Sequence, residues 1–356
     1  MTQKQPFFDG HNDVLTRLYD SSVDEAVQAF VAGNGKGHID LPRMQEGGLV
    51  GGLFALFVSP KAGNGDGLDF SKLKGKAFDL PLPPMMPVEI ALPVVMRQAA
   101  LLRRFVNASN GQLQLCTTAT QIHQALSVGS TVAVMHMEGA ECLDEDLLNL
   151  DILYAAGLRS LGPVWSRPTR FAHGVPFKFP GSPDTGPGLS SDGEALVKRC
   201  NELKVVIDLS HINEKGFWDV AQLSNSPLVA SHSNAHALCP STRNLTDAQL
   251  EAIASSNGFV GVNFATSFLR SDGQMRRDTE LSTVLSQLDY LMEKLGEDRV
   301  GFGSDFDGAI VPQDIGSAAG LPTLAEAMRA HGYNDELMDK LCLHNWIRLL
   351  ERTWGS

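Results

Sequence analysis

The sequence predicts a (β/α)8 barrel of the TIM type, with long loops on its C-terminal face and extra helices near its C-terminus. Three observations point there. Short apolar, β-rich runs alternate with amphipathic stretches of helical length, the pattern of a parallel sheet with crossover helices. Eight such runs can be marked, the number a closed barrel needs. The 356 residues, 43% of them apolar, suffice for one barrel with insertions and a sizeable core, so a single domain over 1–356 is expected.

In chain order the strands are read at 7–13, 50–59, 131–138, 158–166, 205–211, 228–233, 259–265 and 300–305. Helical patterns fall between most of them, at 118–126, 193–203, 247–255 and 281–295. Two stretches break the rhythm. Residues 60–87 and 167–188 are rich in Gly and Pro and read as long loops. Both follow strands, so in a barrel both lie on the C-terminal face, over any active site. After the eighth strand, 321–331 and 334–351 read as two closing helices. No internal repeat, low-complexity tract or interdomain linker interrupts this order.

Composition narrows the function. Acidic residues outnumber basic ones by 41 to 29, a formal charge of -12, which disfavours nucleic acid and anionic membrane surfaces as partners. Cys116, Cys142, Cys200, Cys239 and Cys342 are scattered and form no CxxC, so they read as reduced core residues. Residues 1–6 are polar and lack the apolar stretch of a signal peptide, and the end of the chain lacks the tail of a lipid anchor. No run of about 18 apolar residues is present to span a bilayer. A cytoplasmic location is the expectation.

The chemistry lies in what ends the strands. Asp9-Gly-His11-Asn-Asp13 ends the first, His136-Met-Glu138 the third and Asp208-Leu-Ser-His211 the fifth. Ser231-His232-Ser233 ends the sixth, and Gly303-Ser-Asp305-Phe-Asp307-Gly308 follows the eighth. C-terminal strand ends converge on one site in a barrel enzyme. His11 and Asp13, two apart on a strand, share a face and can grip one ion. Imidazoles and carboxylates suit Zn²⁺, and a carboxylate such as Glu138 can bridge two ions. A metal pair lowers the pKa of a shared water from about 15.7 towards roughly 7, which removes the need for an activated Ser or Cys. His38, His123, His331 and His344 read as satisfying local hydrogen bonds only. His136 shares the side-chain parity of Glu138 and is expected to stand behind the ligands.

These motifs, in this order, resemble the renal (membrane) dipeptidase family of zinc hydrolases. The resemblance also rests on His38-Ile-Asp-Leu-Pro-Arg43 leading to Gly51-Gly52, on Glu138-Gly139 and on Ser241-Thr-Arg243-Asn244, and it runs from residue 7 to about 350. It implies two Zn²⁺ ions per chain: His11 and Asp13 on the first, His211 and His232 on the second, Glu138 between them. It implies that Asp305 contacts the bridging water and passes its proton to the leaving amine, and that Arg243 holds the terminal carboxylate of the substrate. An Arg fork is the best side chain for a carboxylate. Asn263 joins Arg243 and Trp165 in the substrate-binding set. Dimers are common in the family, so a homodimer is an expectation. The sequence departs from the family where a histidine is usual at the fourth strand end. Trp165 stands there, and Pro168 stands where Asn is expected; His173, in the following loop, is a candidate replacement donor. Trp165 is expected to narrow the pocket towards small side chains.

The leading reading is a metallo-dipeptidase acting on short substrates with a free C-terminal carboxylate, tolerant of a D residue there. One alternative is an amide or lactam hydrolase using the same metal pair on a specialised metabolite. Another is a non-catalytic barrel that binds peptides.

Overall fold

Eight short parallel strands build the centre of the chain in a computed structural model that describes residues 4–60, 68–73 and 75–355. They are β1 (Phe7–Asn12), β2 (Leu49–Phe57), β3 (Thr131–Glu138), β4 (Leu158–Gly162), β5 (Val206–Ile207), β6 (Val229–Ala230), β7 (Phe259–Val262) and β8 (Val300–Phe302). Hydrogen bonding runs in the order β5-β4-β3-β2-β1-β8-β7-β6, with Leu113–Leu115 beside β3 as an added strand. Between β5 and β6 the ring is joined by a parallel bridge from Asp208 to Val229, where the Leu209 N–H donates to the Val229 carbonyl at 2.7 Å. The result is a nearly closed barrel of the expected class. Part of 1–6 and part of the loop 60–87 lie outside the described residues.

Both faces of the strands are buried, and the sequence supplies two apolar sets to cover them. Phe8, Leu53, Val132, Val134, Val206, Val229 and Phe259 pack together with Trp346, Ile347 and Leu350 of the last helix. Phe54, Met135, Met137, Ile207, Val260 and Phe302 pack with the helices wound around the strands. Trp346 is fully buried, its ring 4.2 Å from that of Phe259 and its indole N–H donating to the Phe302 carbonyl at 2.8 Å. Gly10 is required beneath it, since a Cβ there would sit 2.3 Å from the indole and 2.5 Å from the Ser231 carbonyl oxygen. Trp346→Ala should cost about 3–5 kcal/mol of stability in urea unfolding, because a large cavity cannot collapse against a rigid barrel. A loss under about 1 kcal/mol would mean that this packing does not hold the strands together.

Several expectations change in detail. The expected strand ends at 211, 233 and 305 shorten to 207, 230 and 302, because side chains there take over backbone N–H groups, and the end at 166 shortens to 162, ahead of Pro163, which has no N–H. The two loops read at 60–87 and 167–188 each contribute a strand: Phe78–Leu80 and Phe177–Phe179 pair antiparallel. With Phe57, Leu73, Trp165, Ala265 and Phe268 they form a separate apolar cluster. The expected helix 334–351 is an unbroken run with a π segment at Lys340–His344 between Asp335–Asp339 and Asn345–Trp354. All five cysteines are buried and free. Among the described residues no helix is long and apolar enough to cross a membrane.

Candidate metal centre

Strand ends deliver the site. β1 carries His11, and Asp13 follows as the residue that starts the short helix Val14–Arg17. A register shift inside β1 and this turn, not simple strand alternation, bring the two together at 3.3 Å (His11 Nε2 to Asp13 Oδ2). β3 ends on Glu138. His211 and Asp305 lie just past β5 and β8 at φ +69° and +59°, a left-handed conformation that non-glycine residues rarely adopt. Such strain persists where surrounding contacts over-determine it. Here two buried aspartates do so. Asp208 accepts the N–H of Ser210 (3.0 Å), the N–H of Ser231 (2.8 Å) and the Ser231 hydroxyl (2.5 Å). Asp9 accepts the N–H of Ser304 (2.6 Å), its hydroxyl (2.9 Å) and the N–H of His11 (3.3 Å). The Asp305 N–H donates to the His11 carbonyl at 3.1 Å.

Glu138 lies at the middle of the cluster. Its Oε1 is 3.0 Å from His211 Nε2 and 3.5 Å from His232 Nε2, while its Oε2 is 3.5 Å from His11 Nε2. The His211 and His232 Nε2 atoms face each other at 3.2 Å. Both ring nitrogens of His11 and Asp13 Oδ1 are buried with no hydrogen-bond partner among the described residues. Burial pushes the Glu138 carboxyl up to about 7 and the Asp9 carboxyl likewise to about 7; it also raises Asp305. Burial holds His211 and His232 well below the ordinary range. His11 goes the other way: burial would lower it, but Glu138 and Asp13 outweigh that and hold it well above. Crowded, buried carboxylates beside His211 and His232, which burial keeps neutral, are a donor set that suits a cation. Two groups, His11–Glu138–His232 and His11–Asp13–Asp305, each bring their donor atoms within 4.8 Å of one another.

A cavity of about 480 Å³ opens onto this cluster. Asp13, Glu138, His211 and Asp305 line its polar end, and Phe57, Trp165, Phe177 and Phe268 its apolar walls. The Trp165 ring lies 5.8 Å from His211 and 5.1 Å from Phe57. Arg243, Asn263 and His173 do not line the cavity. Arg243 is buried beside Phe268, with Nη2 donating to the His232 carbonyl at 3.1 Å and Nε unpartnered among the described residues. Burial lowers its pKa to about 10. The Asn263 amide is occupied: Nδ2 donates to Asp305 Oδ2 at 3.0 Å and Oδ1 accepts the Ala265 N–H at 2.6 Å. The His173 carbonyl accepts the Asn213 N–H at 3.0 Å. His136 is fully buried against Ser160, at 2.9 Å from Nδ1. His38, His123 and His331 have local partners in Asp307, Glu351 and Asp289.

Sequence reading missed the residues that hold the others. Asp9 and Asp208 were visible as strand-end residues without a role. Ser166, whose hydroxyl lies 2.9 Å from His211 Nδ1, gave no signal of its own. Arg167, read as the start of a loop, is fully buried and pairs with Glu141 at 2.7 Å while donating to the Val58 carbonyl. That pair ties the turn after β3 to the segments after β2 and β4.

The family model for membrane dipeptidase, peptidase family M19, matches residues 1–354. A metallo peptidase from Rhodobacter sphaeroides, solved with a phosphinate mimic of the dipeptide L-Ala-D-Ala, is 54% identical with a TM-score of 0.96, covering 99% of this chain and 100% of that one. A second solved metallo peptidase, a dipeptidase of family M19, is 53% identical with the same TM-score and coverage. A Klebsiella pneumoniae protein named for its place in the pqqA 5' region is 49% identical over 261 residues, 73% of this chain and 96% of that protein.

Proposed function

This chain belongs to the membrane dipeptidase family, peptidase family M19, as a metal-dependent hydrolase acting on dipeptides, and from that premise we propose a dinuclear zinc enzyme. In this reading it splits dipeptides with a free C-terminal carboxylate and accepts a D residue at that position. One observation carries the dinuclear reading: the two oxygens of Glu138 face two different donor sets, Oε2 towards His11 and Oε1 towards His211 and His232. His11 and Asp13 would hold one ion, His211 and His232 the other, and Glu138 both. The mixed imidazole and carboxylate donors favour Zn²⁺. Bound there, the ions supply Lewis-acid polarisation of the scissile carbonyl and water activated at neutral pH.

The chain's own residues do the rest. Asp305 holds the proton that must reach the leaving nitrogen; Asn263 orients it by donating to one oxygen, which leaves the other for the proton. The mimic bound by the Rhodobacter sphaeroides relative supports both a short substrate and the D residue. Trp165 and Phe57 wall the cavity and would restrict it towards small side chains, taking no part in proton transfer. Arg243 would read the terminal carboxylate with its guanidinium charge, which lies near enough to Asp305 and Glu138 to feel both.

The test is a panel of L,L and L,D dipeptides and their C-terminal amides, run on zinc-loaded and chelated protein. Hydrolysis should need metal and a free carboxylate. Arg243→Met should lower kcat/KM for free dipeptides by about 1.5–3 kcal/mol, roughly 10- to 150-fold, the worth of a hydrogen bond to a charged group. Equal losses on dipeptides and amides would remove Arg243 from the carboxylate site.

A further inference from the structure

A metal accepts only the bare nitrogen of a neutral imidazole, so the tautomer of a ligand histidine matters as much as its position. For His232 the hydrogen bonds decide it. Asp208 is 2% exposed and takes three donors: Oδ1 accepts the N–H of Ser210 (3.0 Å) and of Ser231 (2.8 Å), and Oδ2 accepts the Ser231 hydroxyl (2.5 Å). His136 Nε2 stands 3.6 Å from Oδ2, too far for a hydrogen bond, so Ser231 is its donor. A carboxylate can only accept, and a serine has one hydroxyl hydrogen. That hydrogen is committed to Asp208. Towards His232 Nδ1, at 2.8 Å, Ser231 Oγ can therefore only accept. Nδ1 must carry the ring hydrogen, and Nε2 is left with its lone pair towards Glu138 and His211.

We propose that Asp208 and Ser231 are positioning residues that lock His232 in its Nδ1–H tautomer and so offer Nε2 to the metal. The metal half of this rests on the reading of His232 as a ligand; the tautomer half does not. The substitution that separates this role from a merely structural one is Asp208→Asn, which keeps the shape. The two backbone N–H donors force the new amide to place its oxygen where Oδ1 was, and its NH2 then faces Ser231 Oγ. The amide becomes the donor, the serine hydroxyl turns to His232 Nδ1, and the ring hydrogen moves to Nε2. A hydroxyl that was an acceptor has become a misdirected donor.

The readout is the ¹⁵N NMR spectrum of metal-free, ¹⁵N-histidine protein, with the His232 signal assigned from the His232→Gln spectrum. Wild type should show Nδ1–H and Asp208→Asn should show Nε2–H. Zinc affinity by chelator competition should fall about 10–100-fold in Asp208→Asn, the usual effect of losing a group that orients a ligand. Adding Ser231→Ala to Asp208→Asn removes the misdirected donor and should recover part of that affinity, the reverse of two additive losses. Wild-type tautomer and affinity in Asp208→Asn, or additive losses in the double variant, would overturn the proposal. If Asp208→Asn fails to fold, Ser231→Ala alone serves: it should give a tautomer mixture at His232, and a pure Nδ1–H signal there would overturn the lock. Wild-type protein that binds no zinc while His232 shows Nδ1–H would overturn the metal reading and leave the lock standing.

Discussion

Glu138→Ala should strip both metal ions from the protein and reduce dipeptide hydrolysis by on the order of 10³-fold or more, since it removes the water activation that a metal pair provides. The expectation follows from where the two oxygens point. Oε1 lies 3.0 Å from His211 and 3.5 Å from His232, and Oε2 lies 3.5 Å from His11, whose Nε2 is in turn 3.3 Å from Asp13. Without the carboxylate each side keeps two protein donors, fewer than the three that catalytic zinc sites use. His11→Ala should behave differently. It leaves the His211, His232 and Glu138 set whole, so elemental analysis should find about one ion per chain, against about two in wild type and none in Glu138→Ala. A Glu138→Ala protein that kept two ions would mean that the two sets do not share this carboxylate. Removing Glu138 also takes a partner from the buried His11 imidazole, so unfolding of the apo variant should be compared with that of apo wild type. That separates loss of metal from loss of structure.

How far the sequence alone reaches can be judged at particular residues. Thr131–Glu138, Asp247–Ser255, Leu281–Leu295 and Leu321–His331 appear with the boundaries or within a residue or so of those read from pattern. A clear period marks them, and at Asp247–Ser255 it coincides with the capping box of Thr246 and Gln249. The strand read at 205–211 shrinks to Val206–Ile207 because Asp208 uses its side chain to hold N–H groups that a ladder would otherwise take. No local pattern reveals that. The helix Val88–Ala108 went unread because Pro87 and Pro93 look like breaks: Pro87 caps the helix, where proline is tolerated, but Pro93 lies inside it, where a break is the usual result. The strands Phe78–Leu80 and Phe177–Phe179 are three residues each and pair across about 100 positions, too short for any period to register. At the site, residues of distinctive chemistry were legible and their supports were not. His11, Asp13, Glu138, His211 and His232 come together, whereas Ser166 and Ser231 are common residues whose role exists only once His211 and His232 are beside them.

Asp305→Asn should lower turnover by about 10²–10⁴-fold, the usual worth of a positioned proton-transfer group, while metal content stays at the wild-type level. The variant is unusually clean. Residue 305 sits at φ +59°, and asparagine is among the few side chains that tolerate that region. The Asp305 N–H bond to the His11 carbonyl belongs to the backbone and survives, and an asparagine oxygen can still accept from Asn263 Nδ2. What disappears is the ability to take a proton and hand it on. The loss should therefore depend on the leaving group. A strongly basic amine must be protonated as the bond breaks, so ordinary dipeptides should show the full defect. Aminoacyl aminobenzoates, anilides that keep a free carboxylate but whose leaving amine is far less basic, should show a smaller one. The competing role is visible in the same geometry, because Asp305 also brings an oxygen close to His11 and Asp13 donors. As a ligand, Asp305→Asn would weaken metal binding and slow both substrate types alike. Metal analysis and the ratio of dipeptide to anilide rates separate the two: a flat ratio with depleted metal makes Asp305 a ligand, and a skewed ratio with full metal makes it the proton carrier.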